Sequence, residues 1–231
     1  MVNSENEVFE DEETPLTLHI YDNLTRMEYF DVGAPYNDAD EIRQQDEGCQ
    51  FYKTVYVSVT KDIEVVAYME LHLFYDGVIS DSGGNHVLYA DEISQDALDA
   101  MCALKKFGHL KPRKDDDLDY MLAAYADVTV YLQYIAVRDD FRKKGIAGWF
   151  LRNLNSIIYR TYGVSARIVI TSIFPQDIRW EGQKPSFDPR IGDAAETQES
   201  KLMYQAMERL FIKNGYKQLG KTEHFVKERQ A

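Results

Sequence analysis

The sequence contains little cysteine and no long apolar run. Cys49 and Cys102 are its two cysteines among 231 residues, and neither lies near a pair of histidines at metal-ligand spacing. Two thiols are too few for a disulfide scaffold, so we expect neither a disulfide framework nor a metal centre. The apolar stretches are also too short for a membrane-spanning helix, which argues against a helical membrane protein.

The N-terminal segment lacks the basic flank and apolar stretch of a secretory signal. Residues 1–13 are acidic, and we interpret them as a disordered tail. Because no segment directs the chain elsewhere, we expect a cytoplasmic protein. Residues 14–231 are expected to form a single domain, since α/β folds of this length often remain undivided.

Positive charge is scarce. The chain has 26 Lys and Arg residues against 39 Asp and Glu residues, a net charge of −13 at pH 7. Such a surface repels phosphate backbones, so we expect no nucleic-acid partner, and the short apolar runs predict no membrane partner. A cationic acceptor would suit this surface, although net charge explains solubility before it identifies a partner.

Segments rich in β-branched and aromatic residues predict the strands of a sheet. In chain order they are Leu16 to Tyr21, Phe51 to Val59, Ile63 to Tyr75, Val128 to Val137 and Ala166 to Ile173. The polar turn Thr60-Lys61-Asp62 joins the second and third into a hairpin. Two short segments, Tyr216 to Leu219 and His224 to Lys227, predict a closing hairpin. Short helices are expected after the first strand, at Asp22 to Phe30 and Asp38 to Gln45.

Two longer helices are predicted from apolar residues at helical spacing. Ile146 to Tyr162 precedes Gly163, and Glu199 to Asn214 precedes Gly215, so each ends where a glycine can adopt a left-handed conformation. The order strand, tight turn, helix, strand around Ile146 to Tyr162 predicts a βαβ unit.

Two long segments interrupt this order. Asp76 to Asp127 is predicted to be a helical insertion between the third and fourth strands, with helices at Ser94 to Lys106 and Asp117 to Ala126. Phe174 to Thr197 is predicted to be a polar, proline-containing loop. Because each segment leaves a strand next to the central one, we expect both to border the site and to set substrate choice.

The turn Arg142-Lys143-Lys144-Gly145-Ile146-Ala147 fits the pattern Arg/Gln-x-x-Gly-x-Gly/Ala. This short motif is weak evidence by itself, but here it lies between a buried strand and an amphipathic helix. The first N–H groups of a helix and its dipole attract anions, and Gly145 allows the backbone to approach them closely. Arg138 adds to the basic side chains near the turn. A pyrophosphate group is the natural occupant.

Two stretches resemble the GCN5-related N-acetyltransferases (GNAT family). The first is Ile135-Ala136-Val137-Arg138-Asp139-Asp140-Phe141-Arg142-Lys143-Lys144-Gly145-Ile146-Ala147, and the second is Leu210-Phe211-Ile212-Lys213-Asn214-Gly215-Tyr216. The resemblance covers Phe51 to Tyr75 and Val128 to Lys227. It implies an α/β GNAT fold, with a central, mixed, mostly antiparallel twisted sheet flanked by helices.

The resemblance also implies an enzyme that uses acetyl-coenzyme A and no metal. The acetyl group would pass to a primary amine by direct attack. Backbone N–H groups from Lys143 to Gly148 would hold the pyrophosphate, while the strand residues would pair with the pantetheine arm and face the thioester oxygen. The implied cofactor-binding residues are Ile135, Ala136, Val137, Arg142, Lys143, Lys144, Gly145, Ile146, Ala147 and Gly148.

The sequence departs from the family at its acid and base. Tyr131 stands where some members carry a carboxylate base, and a tyrosine is a poor base at neutral pH. Glu70, His72 and Asp127 are the nearby alternatives, and Glu70 is favoured because its strand should lie beside the central one. Phe211 stands where many members have a tyrosine that protonates the departing thiolate, so solvent would have to supply that proton.

These departures leave a second hypothesis open. The chain could instead be a catalytically weak module that binds acetyl-coenzyme A or presents a surface to a protein partner. The insertion from Asp76 to Asp127 could equally form a homodimer contact. Turnover with a panel of amines, compared with binding alone, distinguishes the enzyme from the binding module.

Overall fold

A computed structural model describes residues 16–22, 51–110, 125–173, 178–181, 184–187 and 198–229. Its strands are β1 Leu16–Asp22, β2 Tyr52–Lys61, β3 Glu64–Tyr75, β4 Asp127–Val137, β5 Ser165–Ser172, β6 Ile178–Glu181, β7 Lys184–Phe187, β8 Lys217–Gln218 and β9 His224–Glu228. Its α-helices are α1 Asp76–Asp81, α2 His86–Asp91, α3 Gln95–Lys106, α4 Ile146–Tyr162 and α5 Gln198–Lys213.

Seven strands form one sheet in the order β1-β2-β3-β4-β5-β9-β8. Only the β4 and β5 pair is parallel, and every other neighbouring pair is antiparallel. This confirms the predicted mixed, mostly antiparallel sheet flanked by helices. The parallel pair is joined through α4, as the βαβ prediction required, because a parallel connection must cross from one end of the sheet to the other.

The structure adds elements that the sequence pattern did not predict. The insertion begins with two short helices, α1 and α2, before the predicted helix at α3, whose first turn is capped by Ser94. Phe174 to Thr197 was predicted to be a loop, but it contains the antiparallel pair β6 and β7. That prediction was wrong there because four-residue strands, one containing Pro185, are too short to give a periodic signal.

Several sequence predictions lie outside the described residues. These are the acidic tail at residues 1–13, the helix at Asp38 to Gln45 and most of the helix at Asp117 to Ala126. The predicted helix at Asp22 to Phe30 also lies there except for Asp22, which is the last residue of β1.

The sheet is buried on both faces. On one, which we call the α4 face, β3 and β4 place Leu71, Val130 and other apolar side chains against α4 and α5. On the other, the insertion face, Phe74 and Tyr131 pack with Met101 of α3. Burial on both faces explains why β3 and β4 are nearly continuous apolar runs rather than alternating ones.

A bulge in β4 separates it from β5. Glu70 pairs with Tyr134 and Leu71 with Leu132, so Gln133 is the extra residue on β4. Pairing between β4 and β5 ends at the same point, with Leu132 opposite Thr171. Beyond the bulge, residues 134–137 stay paired with β3 but have no β5 partner among the described residues. We call the space that opens there the gap.

A partly buried carboxylate attaches the insertion to the sheet. Asp76 accepts hydrogen bonds from the backbone N–H of Thr129 at 3.1 Å, from His86 at 2.7 Å and from Arg167 Nε at 2.7 Å. Burial alone would raise the pKa of Asp76, but the hydrogen bond from His86 and the charge of Arg167 outweigh it and lower that pKa. The start of the insertion is thereby attached to both β4 and β5.

We expect Asp76→Asn to lower the free energy of unfolding by about 1 to 2 kcal/mol at pH 7, because it removes the carboxylate partner of the partly exposed Arg167. The folded pKa of Asp76 lies below its ordinary value of 3.8, so its contribution is present above that pH and is lost as the pH falls through the folded pKa. Denaturant titrations from neutral to acid pH measure both effects. The exposed Asp91→Asn in α2 is the control, and an equal loss there would contradict the prediction.

Candidate functional site

The turn between β4 and α4 is shaped by two residues with positive φ. A 3-10 turn at Asp139–Phe141 leads into Lys143, with φ of 65°, and Gly145, with φ of 88°, which is the N-cap of α4. A Cβ built at Gly145 would meet no atom within 4 Å. Glycine is therefore required at this position by the backbone conformation rather than by lack of space.

The start of α4 is held firmly against the core and against α5. Ile146 is buried in the α4-face core. A Cβ on Gly148 would lie 3.2 Å from a guanidinium nitrogen of Arg152 and 3.8 Å from the amide of Asn214, so side chains closely surround this helical turn. The first N–H groups of α4, from Ile146 to Gly148, have no acceptor within the helix and point towards the turn.

The basic side chains around the turn have different environments. Arg138 is paired with Glu64 and Asp140, at 2.7 Å and 2.8 Å, so two carboxylates already neutralise its charge. Arg142 pairs with Asp139 at 2.7 Å and donates from Nε to the carbonyl oxygen of Val137 at 3.2 Å.

Lys143 and Lys144 follow Arg142 and are both exposed. The ammonium group of Lys144 lies 4.6 Å from the ring centre of Phe141, which is a cation–π distance. With Arg142, these side chains place three cationic groups at the N-terminal end of α4, on a chain whose net charge is negative.

Backbone N–H and C=O groups on one edge of β4 point into the gap. The N–H of Arg138 bonds to the carbonyl oxygen of Val66 on β3. Because backbone groups alternate in direction along a strand, the N–H and C=O groups of Ile135 and Val137 point the other way, into the gap. Their side chains pack on the α4 face, while Ala136 is buried.

Polar side chains of β2, β3 and the bulge meet on the insertion face of the gap. Tyr68 donates to one oxygen of Glu70 at 3.1 Å, and the other oxygen lies 3.7 Å from Nε2 of His72. That nitrogen also hydrogen-bonds the side-chain oxygen of Gln133, and Nδ1 lies 3.0 Å from the hydroxyl of Thr54. The Glu70 side chain is 16% exposed, so this carboxylate is accessible from the gap side only in part.

Burial keeps His72 neutral. It lowers the pKa of His72 to about 4, against the opposing effect of the hydrogen bond to Gln133. Since the oxygen of Gln133 can only accept, Nε2 carries the proton and Nδ1 accepts from the hydroxyl of Thr54. His72 thus connects β2 to the bulge without carrying charge at neutral pH.

A second polar group lies across the gap on β5 and β9. The hydroxyl of Ser172 is 2.7 Å from Nδ1 of His224, and both residues are buried. Tyr131 stacks on His72 at 6.0 Å between ring centres. Burial raises the pKa of Tyr131, so this residue is a neutral phenol on the same face of the sheet as both polar groups.

The predicted catalytic residues do not all lie at the same end of the sheet. Glu70 lies on β3, one strand away from the gap, and Tyr131 lies on β4 before the bulge, still paired with β5. Ile135, Ala136 and Val137 form the edge of β4 at the gap. Asp127 lies at the opposite end of β4, roughly 20 Å from Gln133 by strand rise. Its two oxygens accept hydrogen bonds of 2.8 Å and 3.2 Å from Arg229.

Sequence reasoning did not single out Gln133, Ser172 or His224. Each is a polar residue within or at the end of a strand, and nothing in its local pattern distinguishes it from a solvent-facing residue. The pairing of β4, β5 and β9 places Gln133 on one side of the gap and Ser172 and His224 on the other.

Phe211 is fully buried on the α4 face. Its ring lies 5.2 Å from that of Tyr216 and 6.1 Å from that of Phe225. The position therefore contributes packing and offers no hydroxyl.

Over the ranges that the model describes, no helix is long and apolar enough to cross a membrane. Over the same ranges, no three or more His, Cys, Asp or Glu side chains gather closely enough to hold a metal ion.

No protein-family model and no curated protein sequence matches this chain. Two solved structures of a mutant AtaT toxin bound to the C-terminus of the antitoxin AtaR, one of them also with acetyl-CoA, are similar to it at a TM-score of 0.35. Sequence identity is 9% and 8%, over 92% of this chain and 92% and 91% of theirs. A similarity at this TM-score is too weak to assign a function to the chain.

We expect the imidazole of His72 to stay neutral down to a pH of about 4, which nuclear magnetic resonance titration of its ring protons can measure. Gln133→Leu should lower the midpoint further, because it removes an acceptor that favours the imidazolium. Unfolded histidine titrates near 6.5, so stability should fall as the pH drops from there towards the folded value. A midpoint near 6.5 in the folded protein would contradict this assignment.

Proposed function

We propose that this chain is an acetyl-coenzyme A-dependent N-acetyltransferase that acylates a primary amine. The observation that carries the proposal is the gap between β4 and β5, which opens at a β-bulge and leads directly into a left-handed turn and a helix N-terminus. A bared strand edge beside an anion-binding turn suits a ligand with a peptide-like arm and a pyrophosphate. Coenzyme A has both parts.

The turn fits the pyrophosphate. N–H groups at the start of α4 and the positive end of its dipole favour a bound anion. Gly145 presents no Cβ to a ligand that approaches it, and Arg142, Lys143 and Lys144 add positive charge. In this proposal the backbone from Lys143 to Gly148 makes the contacts. Arg138 makes none because two carboxylates pair with it, whereas Arg142 pairs with Asp139 alone.

The edge of β4 fits the pantetheine arm. The arm contains two amide groups, and an extended chain can pair with a bared strand edge as an added strand. Ile135 presents its N–H and C=O groups to the gap and Val137 presents its N–H, because the carbonyl oxygen of Val137 already accepts from Arg142. Ala136 presents its own groups to β3. The N–H of Ile135 would then lie near the thioester oxygen and stabilise the negative charge that develops there.

Acetyl-coenzyme A supplies an activated acetyl group, and the chain has to supply a base. A primary ammonium must lose a proton before it can attack, and Glu70 is the carboxylate on β3, one strand away from the gap. Tyr68 donates a hydrogen bond to one carboxylate oxygen of Glu70, and the other oxygen of Glu70 lies 3.7 Å from Nε2 of His72. We assign Glu70 as the general base in a direct transfer that forms no acyl-enzyme, and Tyr131 as its neutral neighbour.

The insertion face is proposed as the acceptor side. Tyr56 and Tyr68 stack at 6.2 Å between ring centres beside Glu70, and burial followed by the Glu70 charge raises the pKa of Tyr56 to about 12. Neutral aromatic rings beside a carboxylate suit a cation with an apolar body. Helices α1 to α3 lie on this face, and β7 approaches β3, so both long segments could contact the acceptor.

A binding module without turnover is the second candidate. The observation that favours it is Phe211, whose buried ring provides no proton donor on the α4 face. Both candidates require the turn and the gap. Release of coenzyme A with a panel of primary amines supports the enzyme, and tight binding of acetyl-coenzyme A with no release across that panel supports the module.

The turn is tested by placing a carboxylate where the pyrophosphate would lie. We expect Gly145→Glu to weaken acetyl-coenzyme A binding at least about tenfold, through charge repulsion at the start of α4. Isothermal titration calorimetry measures the affinity. Gly163→Glu is the matched control, because Gly163 has φ of 70° and an equally open Cβ position at the other end of the same helix. Equal affinity in the two folded variants would remove the turn from the site.

The base is tested by removing its charge alone. We expect Glu70→Gln to lower kcat about 100-fold near neutral pH, with part of the rate recovered as the pH approaches that of the free amine. Asp127→Asn should leave kcat unchanged but lower the free energy of unfolding by about 1 to 3 kcal/mol, because it weakens the hydrogen bonds from Arg229. A full rate for Glu70→Gln at every pH would show that Glu70 is not the base.

A further inference from the structure

Ser172 lies where β5 separates from β4. It is the last residue of β5, one position beyond the final β4 and β5 pair at Leu132 and Thr171. Ile168 and Ile170 pack in the insertion-face core, so by strand alternation Ser172 turns to the same face. Its hydroxyl therefore borders the gap on the side opposite Glu70.

Ser172 forms a buried hydrogen bond with His224. Ser172 is 7% exposed and His224 is 3% exposed, and their Oγ and Nδ1 atoms are 2.7 Å apart. The two residues face each other across the β5 and β9 pair, so the strand register fixes their distance. On the β4 side, Tyr131 is paired with Ile170 and lies on the same face of the sheet as Ser172.

The other ring nitrogen of His224 leads to the surface. Nε2 lies 3.9 Å from a carboxylate oxygen of Glu223, whose side chain is 49% exposed. Asp96 and Asp99 of α3 add negative charge from the insertion. Burial lowers the pKa of His224 and these three carboxylates oppose the shift, so the ring is neutral at pH 7 with one nitrogen donating and the other accepting.

The proposed acetyl transfer needs a proton donor at the gap. As the bond between carbon and sulfur breaks, its electron pair goes to sulfur. The sulfur leaves more readily when it receives a proton as it departs, which gives coenzyme A as the thiol. Phe211 provides no hydroxyl for this step. A serine hydroxyl can serve only if its own proton is replaced at once, which requires a neighbour able to pass one on.

We propose that Ser172 is the catalytic proton donor to the departing coenzyme A thiolate and that His224 is the positioning residue that resupplies it. The Ser172 proton moves to sulfur, the proton on Nδ1 of His224 moves to Oγ, and a proton from solvent enters at Nε2 beside Glu223. The proton lost by the amine goes to Glu70 on the other side of the gap. This inference rests on the proposed acetyltransferase function.

The first test compares Ser172→Ala with Ser172→Thr and with Ser165→Ala, which lies at the far end of β5. We expect Ser172→Ala to lower kcat about 100-fold with unchanged acetyl-coenzyme A affinity by calorimetry, and Ser172→Thr to recover most of the rate. The Ser165→Ala variant should behave as the native protein. A native kcat in Ser172→Ala would overturn the proposal.

The second test needs no acceptor. Coenzyme A itself is bound at saturation, and its thiolate is titrated by ultraviolet absorbance. A hydrogen bond from Ser172 should hold the pKa of the bound thiol down, and Ser172→Ala should raise it by about 1, since hydrogen bonds to charged groups contribute about 1.5 kcal/mol. The same pKa in Ser172→Ala and Ser172→Thr would overturn the contact between Ser172 and sulfur.

The third test separates the hydrogen bond from the proton relay. His224→Asn keeps a nitrogen donor near the position of Nδ1 but cannot pass a proton through the side chain. We expect kcat to fall about tenfold while the pKa of the bound thiol stays close to native. This variant also decides the relay if Ser172→Ala does not fold, since a native rate in it would overturn the role of His224. If the native protein does not bind acetyl-coenzyme A, that result contradicts the proposed acetyltransferase function itself rather than the roles of Ser172 and His224.

Discussion

The separation of β4 from β5 at the Gln133 bulge is the constraint on which the site depends. A single extra residue in β4 shifts its register against β3, and the hydrogen bonds to β5 stop at the same point. In a continuous sheet these backbone groups would bond a neighbouring strand. Here they face a gap, and a ligand with amide groups can complete the pairing.

The side chains around the gap are held on both sides by pairs of strands. On one side Thr54, His72 and Gln133 connect β2, β3 and the bulge, and on the other Ser172 and His224 connect β5 and β9. Both histidines are buried and have lowered pKa values, so they act as hydrogen-bonding groups rather than as charges. A site built on strands in this way keeps its geometry better than one built on loops.

The insertion is part of the core rather than an addition to it. Its helix α3 contributes Met101 and Leu104 to the insertion-face cluster, and Asp76 ties its first residue to β4 and β5. Its removal would expose the apolar side of Tyr131. The same packing brings Asp96 and Asp99 towards His224, so the insertion also influences the electrostatics of the gap.

The sequence by itself determined the local elements and the candidate turn. Enrichment in β-branched and aromatic residues located β2 to β5, and apolar residues at helical spacing located α4. The left-handed glycines at positions 145 and 163 agree with their predicted places at the ends of that helix. Strands, helices and their terminal glycines depend on residues that are neighbours in the sequence, so the sequence pattern is enough to predict them. Tertiary structure decided the rest, because Gln133, Ser172 and His224 are far apart in sequence and come to the two sides of the gap only through strand register. It likewise decided that Asp127 pairs with Arg229 while Glu70 accepts from Tyr68 beside His72, since a strand carboxylate looks the same in sequence wherever its partner lies.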